Sequence, residues 1–92
     1  MSNKQIGVLL KTKRKNMWKE ENNQLIRQFE FDNFIDAFSF MTKVAMLAEK
    51  AQHHPTWENT YNKLTIKLST HDAGDVVTKK DKDLAAQIDA LL

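Results

Sequence analysis

The chain has 92 residues, 41% hydrophobic and 28% charged, with a formal net charge of +2, an ordinary composition for one globular domain spanning residues 1–92. With no cysteine there is no disulfide framework and no thiolate site. No apolar run approaches the ~20 residues of a membrane span, and the five-residue stretch Ile6 to Leu10 is too short for a signal-peptide core, so a cytoplasmic protein without a membrane partner is expected.

Residues 1–14 read ambiguously: Ile6, Val8, Leu9 and Leu10 suit a short helix or an edge strand, and Gly7 weakens the helix. The one basic cluster, Lys11 to Lys15, has phosphate-binding chemistry, but no aromatic is interleaved with it. A solvated segment is the plainer reading, and no nucleic-acid partner is expected. Residues 15–20 around Met17 and Trp18 predict a short strand, Glu21-Asn22-Asn23 a turn, and the alternation of Leu25, Arg27, Phe29 and Phe31 a half-buried strand that completes a hairpin.

Asp32 is the expected N-cap of a helix over about 33–51. Phe34, Ala37, Phe38, Met41, Val44, Ala45 and Ala48 form its expected inward stripe. Phe40 and Leu47 share a different face, an extended core contact or a subunit surface. Pro55 pushes His54 towards extended geometry, ending the helix near His53. Trp57 to Tyr61 predicts a strand with a tight turn near Asn62, and Leu64, Ile66 and Leu68 alternate as a strand with one wet face, delivering His71 at its end. Thr78-Lys79-Lys80-Asp81 has the capping-box pattern for a last helix with Leu84, Ala85, Ile88 and Leu91 inward. The expected fold is α+β: a four-stranded antiparallel sheet with helices packed on one face, in the order (α)-β-β-α-β-β-α.

All three histidines fall in two short segments, Glu49 to Pro55 and Thr70-His71-Asp72. Histidine gives and takes protons near neutral pH. A chance cluster, a zinc site with three imidazoles and metal-free proton transfer between two imidazoles all fit these residues. Adjacent histidines are not the usual spacing for one metal.

The run Glu49-Lys50-x-x-His53-His54-Pro55-x-Trp57, with Tyr61-Asn62-Lys63, Leu68-Ser69-Thr70-His71-Asp72 and Thr78-x-x-Asp81-x-x-Leu84-Ala85, closely resembles the pterin-4a-carbinolamine dehydratase family. Trp18, Phe29-Glu30-Phe31 and Ala37 to Met41 resemble it too. Residues 1–17 do not read like the helix that usually opens that family, and the loop from Ala73 to Thr78 is about one residue longer than usual. The resemblance implies a hydro-lyase that removes water from 4a-hydroxytetrahydropterin, giving quinonoid dihydropterin in tetrahydrobiopterin recycling. It implies no metal and no cofactor beyond the pterin substrate. By the same resemblance, His53 and His71 are the general acid and base, His54 binds and orients the pterin, and Glu49 and Asp81 complete the catalytic set. Pro55, Trp57, His71 and Asp72 join His54 around the substrate. Glu49, one turn before His53, is expected to hydrogen-bond it; Asp72 is a candidate to orient His71, and Asp81 is equally a helix cap. Trp57 suits either a pterin wall or the core, whereas Phe29, Phe38, Phe40 and Met41 read as core or subunit contact. A homodimer or homotetramer is implied. The alternative is a non-catalytic protein-binding or transcription-cofactor module on the same fold.

Overall fold

The computed structural model describes residues 17–92; the expectations for residues 1–16, including the basic cluster, lie outside them. The first hairpin pairs β1 (Lys19–Glu21) with β2 (Gln24–Glu30). Asn22 and Asn23 make its turn with φ of 53° and 61°, the left-handed pair that a two-residue hairpin loop requires and that asparagine tolerates. The strand is therefore shorter and later than the expected 15–20, and Glu21 belongs to it.

Helix α1 (Phe34–Ala51) starts at Asn33, whose side-chain oxygen accepts the Asp36 amide at 2.8 Å. Asp32, the expected cap, precedes that position. The helix buries Ala37, Phe40, Val44 and Ala48, with Met41 and Leu47 packed partly against the core. Phe34, Ile35, Phe38 and Met46 remain exposed. Phe40 is thus a core residue, its ring centroid 5.0 Å from Phe29 and 5.1 Å from Phe31. The expected stripe is rotated: Ala37, Val44 and Ala48 belong to it, Phe34 and Phe38 do not.

Strands β3 (Thr56–Thr60) and β4 (Lys63–Leu68) follow, joined by a tight turn in which Tyr61 has φ 52°. The sheet order is β1-β2-β4-β3, antiparallel throughout. Leu25, Phe29, Leu64, Ile66 and Leu68 line its inner face against α1 and against α2 (Lys79–Asp89), whose Leu84, Ala85 and Ile88 close the core. The expected α+β layering is what the chain adopts.

The inner row of β2 also contains Arg27, only 5% exposed. A buried cation needs a partner. Arg27 donates to Asp89 at 2.7 Å and lies 4.7 Å over the Phe29 ring, and the Trp18 indole N–H donates to the same Asp89 oxygen at 2.7 Å. This cluster ties the C-terminal end of α2 to the sheet. Among the described residues no helix is long and apolar enough to cross a membrane.

Candidate active site

Helix α1 ends in a Schellman turn. Gln52 sits in the left-handed region at φ 52°, its amide donates to Glu49 C=O at 3.2 Å, and the His53 amide donates to Ala48 C=O at 3.0 Å. This reversal sends the two adjacent imidazoles to different partners. His53 turns inward to the first turn of α2, where its Nε2 lies 2.6 Å from Asp81 Oδ1. His54 stays outside, its Nε2 2.9 Å from Glu49 Oε1. The expected Glu49–His53 bond is therefore replaced by Glu49–His54, because helical spacing stops applying once Gln52 leaves helical geometry.

Asp81 is fully buried. Oδ2 accepts from the Thr70 hydroxyl at 2.7 Å and the Thr78 amide at 2.8 Å. It is the N3 residue of the α2 capping box, the cap role expected of it, and the same carboxylate also holds His53. Burial alone pushes its carboxyl up. The hydrogen bonds from His53, Thr78 and Thr70, with the imidazole charge, outweigh burial and hold the carboxyl below the ordinary 3.8. The helix N-terminus favours the anion as well. A carboxylate only accepts, so His53 Nε2 carries a proton in this bond, and Nδ1 lies outside it.

Beyond β4, Thr70 bridges to Val76 and His71 opens a short 3₁₀ turn, His71–Ala73. His71 Nδ1 lies 2.9 Å from Asp75 Oδ1, with both side chains largely exposed. The hydrogen bond to Asp75, then the charges of Asp75 and Asp72, raise the His71 pKa above 6.5. Asp75 is thus the hydrogen-bond partner expected of Asp72, whose charge adds to the same effect. Glu49 is held below its ordinary value by its bond to and the charge of His54.

The two histidine arms meet at Thr70, which precedes His71 in sequence and bonds the carboxylate that holds His53. Pro55 and Trp57 lead from His54 into β3, with Trp57 packed against the core rather than standing free. His53 lines a cleft of about 220 Å³ with Ala51, Lys80, Asp83, Leu84 and Gln87. That is below the roughly 300–1,000 Å³ of enclosed ligand pockets, and neither His54 nor His71 lines it. Among the described residues, no three His, Cys, Asp or Glu side chains are grouped to hold a metal ion. Sequence reasoning passed over Thr70 and Asp75. The signal for Thr70 is that it continues the inward row Leu64, Ile66, Leu68, and a polar residue there must find a buried partner.

A four-stranded antiparallel sheet carrying helices on one face, with three imidazoles each tied at one nitrogen by a carboxylate, defines a small α+β protein with a histidine–carboxylate cluster. The profile of the family described as pterin 4 alpha carbinolamine dehydratase matches residues 1–91. The chain belongs to that family, which is named for a lyase. A relative from Prochlorococcus marinus subsp. pastoris bearing the pterin-4-alpha-carbinolamine dehydratase name is 52% identical over 71 residues, 77% of this chain and 73% of the relative. A second, from Prochlorococcus marinus strain NATL2A, is 51% identical over 75 residues, 82% of this chain and 78% of that one. Among solved structures, a transcriptional coactivator/pterin dehydratase from Brucella melitensis superposes with a TM-score of 0.74 at 31% identity, over 98% of this chain and 95% of its own. A pterin dehydratase-like protein described as a RuBisCO assembly factor in the alpha-carboxysome superposes with a TM-score of 0.68 at 25% identity, over 80% and 87% of the two chains.

Proposed function

We propose that this protein dehydrates 4a-hydroxytetrahydropterin to quinonoid dihydropterin, with histidines as acid and base and without metal or cofactor. The observation that carries the reading is the paired anchoring: Asp81 holds His53 at Nε2, and Asp75 holds His71 at Nδ1. Each imidazole then offers one nitrogen to substrate. His71, whose affinity for a proton Asp75 and Asp72 raise, is the acid: its Nε2–H protonates the C4a hydroxyl as the C–O bond breaks and water leaves. His53 Nδ1 accepts the N5 proton, and the electron pair of the N–H bond forms the C4a=N5 double bond. A proton returning from His53 to His71 through water resets the pair. His54, with Pro55 beside it, orients the pterin; Glu49 holds the His54 ring. Trp57 and Asp72 border this region without a step of their own.

The test is the decay of freshly generated 4a-hydroxytetrahydropterin by stopped-flow absorbance at neutral pH with a strong chelator present. Wild type accelerates decay over buffer, and His71→Ala loses roughly 10²–10⁴ of that acceleration. A chelator-sensitive rate overturns the metal-free mechanism.

A second reading is favoured by one observation, the exposed α1 face of Phe34, Ile35, Phe38 and Met46. It supports a self-associating or protein-binding role, as the names of the coactivator and assembly-factor neighbours would suggest. Well-folded protein with no effect on pterin decay would put this reading first.

A further inference from the structure

We propose that Thr70 is a positioning residue for both histidines, its hydroxyl holding His53 through Asp81 and its backbone shaping the turn that presents His71. The inference rests on the dehydratase reading for its kinetic consequence, but its geometry stands apart from it.

Thr70 occupies the position of the inward row where valine would fill the same space. A buried hydroxyl is costly unless bonded, and this one is bonded twice: it donates to Asp81 Oδ2 at 2.7 Å and lies 2.6 Å from Thr78 Oγ1. Its single proton is committed to Asp81, so Thr78 is the donor in the second bond, leaving a Thr78 lone pair for the Lys80 amide at 3.3 Å. The resulting chain is directional: Thr78 donates to Thr70, Thr70 to Asp81, and His53 Nε2–H to the other carboxylate oxygen. Without the Thr70 hydroxyl, Oδ2 keeps only the Thr78 amide, and the carboxylate is free to turn about its Cβ–Cγ bond away from His53.

The backbone of the same residue builds the second arm. Thr70 N–H donates to Val76 C=O at 2.8 Å, and Thr70 C=O accepts the amides of Ala73 at 3.2 Å and Asp75 at 3.1 Å. Those bonds close the turn that brings Asp75 to His71.

Thr70→Val removes the hydroxyl at nearly constant volume and keeps the backbone bonds; Thr70→Ser keeps the hydroxyl. Two readouts are taken on each, with melting measured to confirm folding. The first is kcat, expected to fall about 10-fold to 10²-fold in Thr70→Val, the scale of a small misplacement of a reacting group, with KM little changed and Thr70→Ser close to wild type. The second is the proton resonance of His53 Nε2–H, assigned by its loss in His53→Gln. It is slowed in exchange by the short Asp81 bond, and is expected to broaden away in Thr70→Val but persist in Thr70→Ser. A resonance kept in folded Thr70→Val overturns the proposal, and so does an unchanged kcat alongside a lost resonance. If wild type itself shows no turnover, the dehydratase reading fails, and the resonance alone decides whether Thr70 holds His53. Thr70→Val in a His53→Gln background should cost less than about twofold more; a full additive loss would mean that the hydroxyl acts elsewhere.

Discussion

Replacing Asp81 by asparagine tests the centre of the site with almost no change of shape. Three donors converge on the two carboxylate oxygens: His53 Nε2–H at 2.6 Å, the Thr70 hydroxyl at 2.7 Å and the Thr78 amide at 2.8 Å. An amide has one oxygen. If that oxygen faces Thr70 and Thr78, its NH2 faces His53, and the imidazole must accept at Nε2, which moves the proton to Nδ1 and blocks the base. If the oxygen faces His53, the NH2 opposes the fixed Thr78 N–H. Either way a buried donor loses a charged acceptor. Such bonds contribute about 1.5–3 kcal/mol each, and a buried unsatisfied group costs about 1–3 kcal/mol. The net loss should be about 2–4 kcal/mol, against a total of roughly 5–14 kcal/mol for a chain of this length. Asp81→Asn should therefore fold, with Tm lower by more than about 8 °C and turnover reduced roughly 10²–10⁴-fold. Urea unfolding across pH adds a second check. Because folding holds the carboxyl below 3.8, its stabilisation is complete above that pH and fades as pH falls below it. The wild-type stability curve should fall on that acid side, and the Asp81→Asn curve should be flatter there. Turnover within about threefold of wild type, with an unchanged Tm, would refute the anchoring argument.

Asp75→Asn should lower the pKa of His71 towards its ordinary value, since the bond to Asp75 is the largest cause of its elevation. The acid form is then lost at lower pH, so the alkaline limb of the kcat profile should move to lower pH, less so in high salt because the pair is exposed; an unmoved limb would deny His71 the acid role. His54→Ala should raise KM about 10-fold while lowering kcat much less, the pattern of a binding group; an equal fall in kcat and kcat/KM would make His54 a proton-transfer residue. Asp89→Ala leaves the buried Arg27 cation without its 2.7 Å partner. Breaking a buried pair costs about 3–5 kcal/mol, and the part-exposed Asp89 side reduces this to about 1–3 kcal/mol by solvent screening. Urea unfolding should show that loss with kcat unchanged; Arg27→Met should cost less than Asp89→Ala, and the reverse order would mean that packing over Phe29 dominates.

Local physics made much of this chain legible before any coordinates. The period of two in Leu64, Ile66 and Leu68, the left-handed tolerance of Asn22-Asn23, the break at Pro55 and the capping box from Thr78 to Asp81 are short-range signals, and each lies where the strands, turns and helix ends lie. The histidine segments, where the family resemblance is strongest, are also where the three histidine–carboxylate pairs lie. Long-range choices were not readable in the same way. Helix α1 is apolar on more than one side, so two stripes satisfy helical spacing; only the sheet selects the one containing Phe40 and leaves Phe34 and Phe38 outside. Glu49 looks like a partner of His53 while helical spacing is assumed, and a single left-handed residue, Gln52, gives it to His54 instead. The alternation placed Arg27 inward, but its partner is 62 residues away, on the last turn of α2. Asp81 reads as a helix cap from four consecutive residues, and it is one. That the same carboxylate also holds a histidine 28 positions earlier follows from packing α2 against the end of α1, because hydrogen bonds between distant segments leave no periodic trace in either.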